Sequence, residues 1–303
     1  MILGFKTGPK NFEEGQNIVT DLGASMCEVW FNVTQHEEYK DMLAWLGKHG
    51  VGMGLHHWGV IDGNKKTNLA TNNEHIRNET IAQVKKTIDI GADIGCVYVN
   101  VHPGAQALET IDFTNWKQTM LDEELTPAEQ SRDLLLAAAA ELHQYATEKH
   151  VTLTFESITA REAVQSDMRE QVYNPGNTTL ASMELLQAQG NFLANDISHL
   201  GTHLLVDGEN PSIAWQKAMD FSRRTAPATR LIHLNVITPP YNGTDSHDGI
   251  TDADFDQETF PTKEGFIDFL QLFKDRDDVY AVPEPKQDVT QNYLALKAFA
   301  ESL

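Results

Sequence analysis

Eight short runs rich in β-branched and aromatic residues recur along the chain: MILGFKT (1–7), MCEVWFN (26–32), VGMGLHH (51–57), IGCVYVNV (94–101), VTLTFES (151–157), NFLANDI (191–197), RLIHLNV (230–236) and VYAVPEP (279–285). Amphipathic stretches fill the gaps, at Asn11 to Leu22, Glu37 to Lys48, Glu74 to Ile90, Pro127 to Lys149, Thr179 to Gln189, Pro211 to Ser222, Lys263 to Lys274 and Asp288 to Leu303. Apolar residues recur there at helical spacing. Thr126-Pro127 reads as an N-cap followed by a first-turn proline, and Gly50 and Gly91 read as helix stops. Eight strand–helix units in 303 residues predict an α/β fold, a single (β/α)8 TIM barrel over 1–303, with the active site at the C-terminal ends of the strands. The long connections 103–126 and 237–262 are candidate active-site walls or lids.

Alternation within the runs assigns faces. Val97, Val99 and Val101 share one side and are expected to meet the helices, which turns Tyr98, Asn100 and His102 into the lumen. By the same count Thr152, Thr154 and Glu156 face inward, as do His233 and Asn235. In GLHHWG (54–59), Met53 and Leu55 mark the outer face, so His56 is expected in the lumen and His57 outside it. A bulge just before His57 would exchange the two.

Polar residues collect where these strands end: His56 and His57, His102, Glu156, Asp196 with His199, His233, Asp245 with His247 in the following loop, and Glu284. Imidazole and carboxylate are the ligand types of divalent transition metals. One such histidine alone would be an ordinary hydrogen-bonded core residue; the convergence at one end of successive strands points to a metal. His36, His49, His75, His143 and His150 fall in polar helical or connecting stretches and are read as surface residues. His203 follows His199 by four, but the Glu of HExxH is missing, and it is the weaker candidate.

The 23 Lys and Arg against 44 Asp and Glu give a formal charge of -21, a field that disfavours nucleic acid. Cys27 and Cys96 lie in apolar stretches without CxxC spacing and are expected to be buried, reduced thiols. MILGFKTG enters a strand directly, and the longest apolar run, 134–140, is too short to span a bilayer. A cytoplasmic protein without membrane contact is expected; a homo-oligomer is possible.

The strand-end motifs resemble the xylose isomerase-like TIM-barrel superfamily, which holds sugar isomerases and epimerases as well as endonuclease IV. The sugar-enzyme branch implies one divalent metal, manganese or zinc foremost with magnesium or cobalt as alternatives, and no organic cofactor. Its ligands would be Glu156, Asp196, His233 and Glu284, with His199 on the substrate. ESITARE is similar to the EPxNxRD pattern of hydroxypyruvate isomerase-like proteins and implies a substrate role for Arg161, although Ser157 and Thr159 replace Pro and Asn. The endonuclease branch implies three zinc ions, with His56, His102, His199, Asp245 and His247 as further metal or substrate contacts. HLNV departs from its expected HLND at Val236, and NVTQHEEYK lacks basic and wedge residues.

The expected activity is isomerisation or epimerisation of a small polyhydroxy substrate, a sugar or sugar acid, through a metal-stabilised ene-diolate, with Glu156 and Glu284 exchanging the proton. Trp58, Trp30, Trp116 and Asn100 are candidate pocket residues. The alternatives are a zinc phosphodiesterase acting on abasic DNA, a metal-dependent lyase or decarboxylase, and a catalytically silent sugar-binding barrel.

Overall fold

The runs with strand character form strands that pair in parallel, in chain order. In the computed structural model, which describes residues 1–114, 117–121, 125–163, 171–172 and 178–303, β1 is one strand broken at Gly4 into Ile2–Leu3 and Phe5–Thr7. It is followed by β2 (Met26–Asn32), β3 (Gly52–Trp58), β4 (Tyr98–Val101), β5 (Thr152–Glu156), β6 (Phe192–Asp196), β7 (Thr229–Leu234) and β8 (Tyr280–Pro283). The ring closes through β1, whose Ile2 pairs with Tyr280 while Phe5 pairs with Cys27. The fold is a single α/β TIM barrel.

Around it run α1 (Phe12–Leu22), α2 (Lys40–Lys48), α3 (Glu74–Ile94), α4 (Ala128–Glu148), α5 (Leu180–Ala188), α6 (Ile197–Leu205), α7 (Pro211–Thr225), the short α8 (Asp252–Phe255), α9 (Lys263–Gln271) and α10 (Val289–Ser302). Outward strand residues such as Val29, Val99, Val101, Leu153, Phe155, Ile232 and Leu234 join the helices in the main core. Burying each such side chain stabilises by about 1.5–3 kcal/mol relative to leaving it in water. A second cluster, Met26, Tyr98, Ala194, Leu231 and Val282, fills the lumen toward the N-terminal ends of the strands. Gly54 leaves room for it: a Cβ there would lie 2.2 Å from Cζ of Tyr98.

The structure corrects several boundaries. Gly91 does not end its helix; α3 continues to Ile94 and is capped by Gly95 in the left-handed region at φ 68, so β4 begins at Tyr98. Gly91 instead permits close packing, because a Cβ on it would stand 2.5 Å from Cys96 Sγ. At α4 the N-cap is Pro127, while Thr126 Oγ1 accepts from the Asn72 amide at 2.9 Å. Connection 103–126 contains a hairpin, Leu108–Asp112 with Lys117–Leu121, that joins Val60–Ile61 and Lys65–Lys66 in a separate antiparallel sheet. No helix is long and apolar enough to cross a membrane among the described residues.

Candidate metal centre

Strand alternation brings Glu156, Asp196, His233 and Glu284 to the C-terminal side of the lumen, where one ligand atom from each lies within 4.8 Å of the others. Glu156 Oε1 meets His233 Nδ1 at 2.9 Å, and Oε2 accepts from Asn100. Asp196 also caps α6: its Oδ1 accepts from the amides of Ser198 at 2.8 Å and His199 at 2.9 Å. Its Oδ2 is buried without a hydrogen-bond partner among the described residues. A buried, unsatisfied carboxylate oxygen is costly, and its position among three further ligand groups suits a cation. Three carboxylates and one imidazole fit zinc or manganese.

Three further groups adjoin this one. Glu28, His56, His233 and Glu284 form the first; His56 and His102 share Glu156 in the second, with His56 Nε2 at 3.2 Å from His102 Nε2; His199, Asp245 and His247 form the third. Asp245 is well satisfied, accepting from Ser198 Oγ at 2.8 Å, Asn235 Nδ2 at 2.8 Å and the His247 amide at 2.7 Å. His56 lies in the lumen as alternation predicts. His57 faces α3, where its Nδ1 meets Thr87 Oγ1 at 2.8 Å.

Glu28 and Lys6 complete the cluster, and both were missed from the sequence. Glu28 is fully buried, takes the Tyr98 hydroxyl at 2.8 Å and lies 3.1 Å from Lys6 Nζ, His56 Nδ1 and His233 Nε2. Lys6 also pairs with Glu284 and lies over the Trp30 ring at 4.9 Å. The signal was present: in MCEVWFN, Cys27, Val29 and Phe31 take the outer face, which turns Glu28 inward.

As protein groups alone, these residues perturb one another strongly. Burial opposes ionisation of Glu28, but His233, Lys6 and His56 outweigh it and hold the carboxyl well below the ordinary range. Glu156 is lowered in the same way, with His233, His102 and His56 overcoming burial. Asp196 is raised, by burial first and by Asp245 and Glu156. Burial, then the Lys6 charge, lowers His56 to about 3. Against burial, Glu156 and Glu28 raise His233 to about 9, and Asp196 and Asp245 raise His199 to about 10.

Above the cluster opens a cavity of about 580 Å³, with Lys6, Trp30, His56, His102, His199, His247 and Glu284 in its lining. That is the size of a small-molecule site. Among the described residues, connection 237–262 reaches this lining through His247 and 103–126 contributes none; the walls come from residues 7–11, Gln35, Glu38, Tyr39, Ile158, Thr159, Pro285, Lys286 and Val289. Trp58 stands elsewhere, edge-on to Phe113, and Asn100 lies beneath, fully buried against Glu156. Arg161 is turned to the 237–262 connection, its Nη1 donating to the Asn242 carbonyl at 3.3 Å. His203 holds the Ile158 carbonyl at 2.8 Å. Trp116 lies outside the described residues.

Fold and strand-end cluster together define a TIM barrel with a carboxylate–imidazole centre at its active-site face. The chain belongs to the xylose isomerase-like TIM-barrel family, whose model matches residues 17–275. Among curated proteins, none matches it in sequence. A D-tagatose 3-epimerase-like protein superposes with a TM-score of 0.66 at 15% identity, covering 100% of this chain and 98% of the other. The 3-keto-D-glucoside 4-epimerase YcjR from E. coli gives 0.62 at 15%, covering 100% of both chains. Endonuclease IV from Thermus thermophilus gives 0.60 at 16%, again covering 100% of both. At these identities the likeness establishes the fold.

Proposed function

We propose that this protein is a divalent-metal-dependent isomerase or epimerase of a small polyhydroxy carbonyl compound, a sugar or sugar acid. The observation that carries this reading is the convergence of Glu156, Asp196, His233 and Glu284, with an unsatisfied Asp196 oxygen, beneath a cavity of about 580 Å³. A divalent ion held by these four residues would polarise a substrate carbonyl and acidify the adjacent C–H. Glu156 and Glu284 are the two groups for removing that proton and returning it. Glu156 is held ionised by its neighbours, as a base requires, and Asn100 and His233 fix its orientation. His199, at the cavity wall with Nδ1 toward the Ser157 carbonyl and Nε2 3.3 Å from Asp245 Oδ2, is the histidine placed to contact a substrate oxygen. Trp30, 37% exposed, offers an apolar face to a sugar ring. The epimerases among the structural neighbours agree with this reading.

A second reading, phosphoester hydrolysis of the endonuclease IV type, draws on two of the adjoining groups, His56–His102–Glu156 and His199–Asp245–His247. The charge of -21 and the absence of a basic track in the sequence favour the small substrate. Metal content per chain, measured with C–H exchange into D2O over a panel of ketoses and sugar acids, tests the choice. About one ion and exchange that is lost in Glu156→Gln are expected; about three ions with nicking of an abasic duplex would replace the first reading by the second. Wild-type exchange in Glu156→Gln would remove Glu156 as the base.

A further inference from the structure

The two ring nitrogens of His56 face different surroundings. Nε2 looks toward His102 Nε2 at 3.2 Å and Glu156 Oε2 at 3.5 Å, the group able to hold a second ion. Nδ1 looks toward Lys6 Nζ at 2.9 Å and Glu28 Oε1 at 3.1 Å. An imidazole binds metal through a lone pair, so the nitrogen that carries the proton decides whether Nε2 can ligate. Donation from Nδ1 to Glu28 would leave Nε2 free. Acceptance at Nδ1 from Lys6 puts the single proton of the neutral ring on Nε2.

The surroundings favour the second arrangement. An ammonium has three donors and no acceptor, so Lys6 can engage Nδ1 only by donating to it. Its position is fixed on three other sides, by Glu28 at 3.1 Å, by Glu284 and by the face of Trp30 at 4.9 Å. Glu28 has no need of the His56 proton, because Tyr98, His233 and Lys6 already supply it. With Nδ1 accepting from the ammonium, the ring N–H stands on Nε2, where His102 Nε2 lies at 3.2 Å.

We propose that Lys6 closes the His56–His102–Glu156 group to metal: by donating to His56 Nδ1 it fixes the ring with its proton on Nε2. Lys6 is thus a positioning residue that limits how many ions the lumen holds. The proposal rests on the reading of this lumen as a metal centre. It also gives the strand-one lysine a role in confining metal to the Glu156–Asp196–His233–Glu284 group. Lys6→Met removes the donor, lets Nδ1 donate to Glu28 and exposes the Nε2 lone pair.

Two measurements test this. In the first, 15N ring spectra of the wild-type protein, with His56 assigned through ring-to-backbone correlations, are recorded before and after addition of Zn2+. The expected result is a proton on Nε2 in both states; a proton on Nδ1, or a zinc-dependent shift of Nε2, overturns the proposal. In the second, bound zinc is counted after gel filtration. Lys6→Met is expected to hold one ion more than the wild type, and Lys6→Met/His102→Ala to lose that gain; equal counts in wild type and Lys6→Met overturn the proposal. Lys6→Gln carries the count should Lys6→Met fail to fold. A wild-type chain that binds no zinc defeats the metal reading, whereas the tautomer still decides the role of Lys6.

Discussion

Glu28 offers a test of how the lumen is held together. Its carboxylate is fully buried, with Tyr98 Oη at 2.8 Å and Lys6 Nζ, His56 Nδ1 and His233 Nε2 each at 3.1 Å. Glu28→Gln preserves shape and leaves the tyrosine an acceptor, but removes the charge opposite Lys6 and His233. Deleting one partner of a buried ion pair costs about 3–5 kcal/mol, and the retained acceptor places the expected loss near the lower end. Tyr98→Phe removes only the hydroxyl, whose bond to a charged acceptor is worth about 1.5–3 kcal/mol. That bond owes part of its strength to the carboxylate charge, so the double variant should lose about 1 kcal/mol less than the sum of the singles, whereas independent sites add within about 0.3–0.5 kcal/mol. Urea unfolding at pH 7 in EDTA, followed by far-UV circular dichroism, measures all three variants without stabilisation by bound metal. A Glu28→Gln cost below about 1 kcal/mol, or strict additivity, would refute the argument that this acid anchors the cluster.

Three further outcomes follow from the geometry. Gly54→Ala should destabilise by about 3 kcal/mol or more, because the added methyl would stand 2.2 Å from a tyrosine ring enclosed in the lumen; a loss under about 1 kcal/mol in the same urea assay would show that Tyr98 can move aside. His199 is raised to about 10 in the folded chain, against about 6.5 for an unperturbed histidine. In EDTA its contribution to stability is therefore complete below about pH 6.5 and declines as pH rises toward 10; the decline should flatten in Asp245→Asn. Cys27 is fully buried and Cys96 nearly so, and burial raises the Cys96 thiol to about 12. Neither should react with a thiol reagent until the chain unfolds, so rapid native labelling would count against this packing.

The barrel was legible because its two periodicities are clean. Valines alternating through β4 and the Leu153–Phe155 pair of β5 identify the helix-facing side, and the remaining positions fall in the lumen without further information. The four residues expected as ligands from the family resemblance lie together for the same reason. Lys6 and Glu28 are single charges inside β1 and β2, away from most of the polar residues that cluster at the strand ends, so only alternation distinguishes them. Arg161 illustrates a different limit. Its spacing from Glu156 was legible, but its direction depends on the 237–262 connection, whose Gly243 carbonyl takes the Arg161 amide at 2.8 Å. Spacing along one loop carries no information about a partner 81 residues away.

The adjacent histidines of GLHHWG separate what local sequence decides from what the assembled barrel decides. Strand geometry alone places His56 in the lumen and His57 against α3, and both rings are held neutral by burial, near 3. Facing the strand-end cluster is not the same as serving it. His57 has Thr87 on Nδ1 and, among the described residues, no partner on Nε2, and it packs against α3. His56 stands between an ammonium from β1 and a carboxylate from β2, and its ability to ligate turns on which of them engages Nδ1. Both come from strands earlier in the chain. The face is therefore a property of the dipeptide, whereas the chemistry of the ring is a property of the closed barrel.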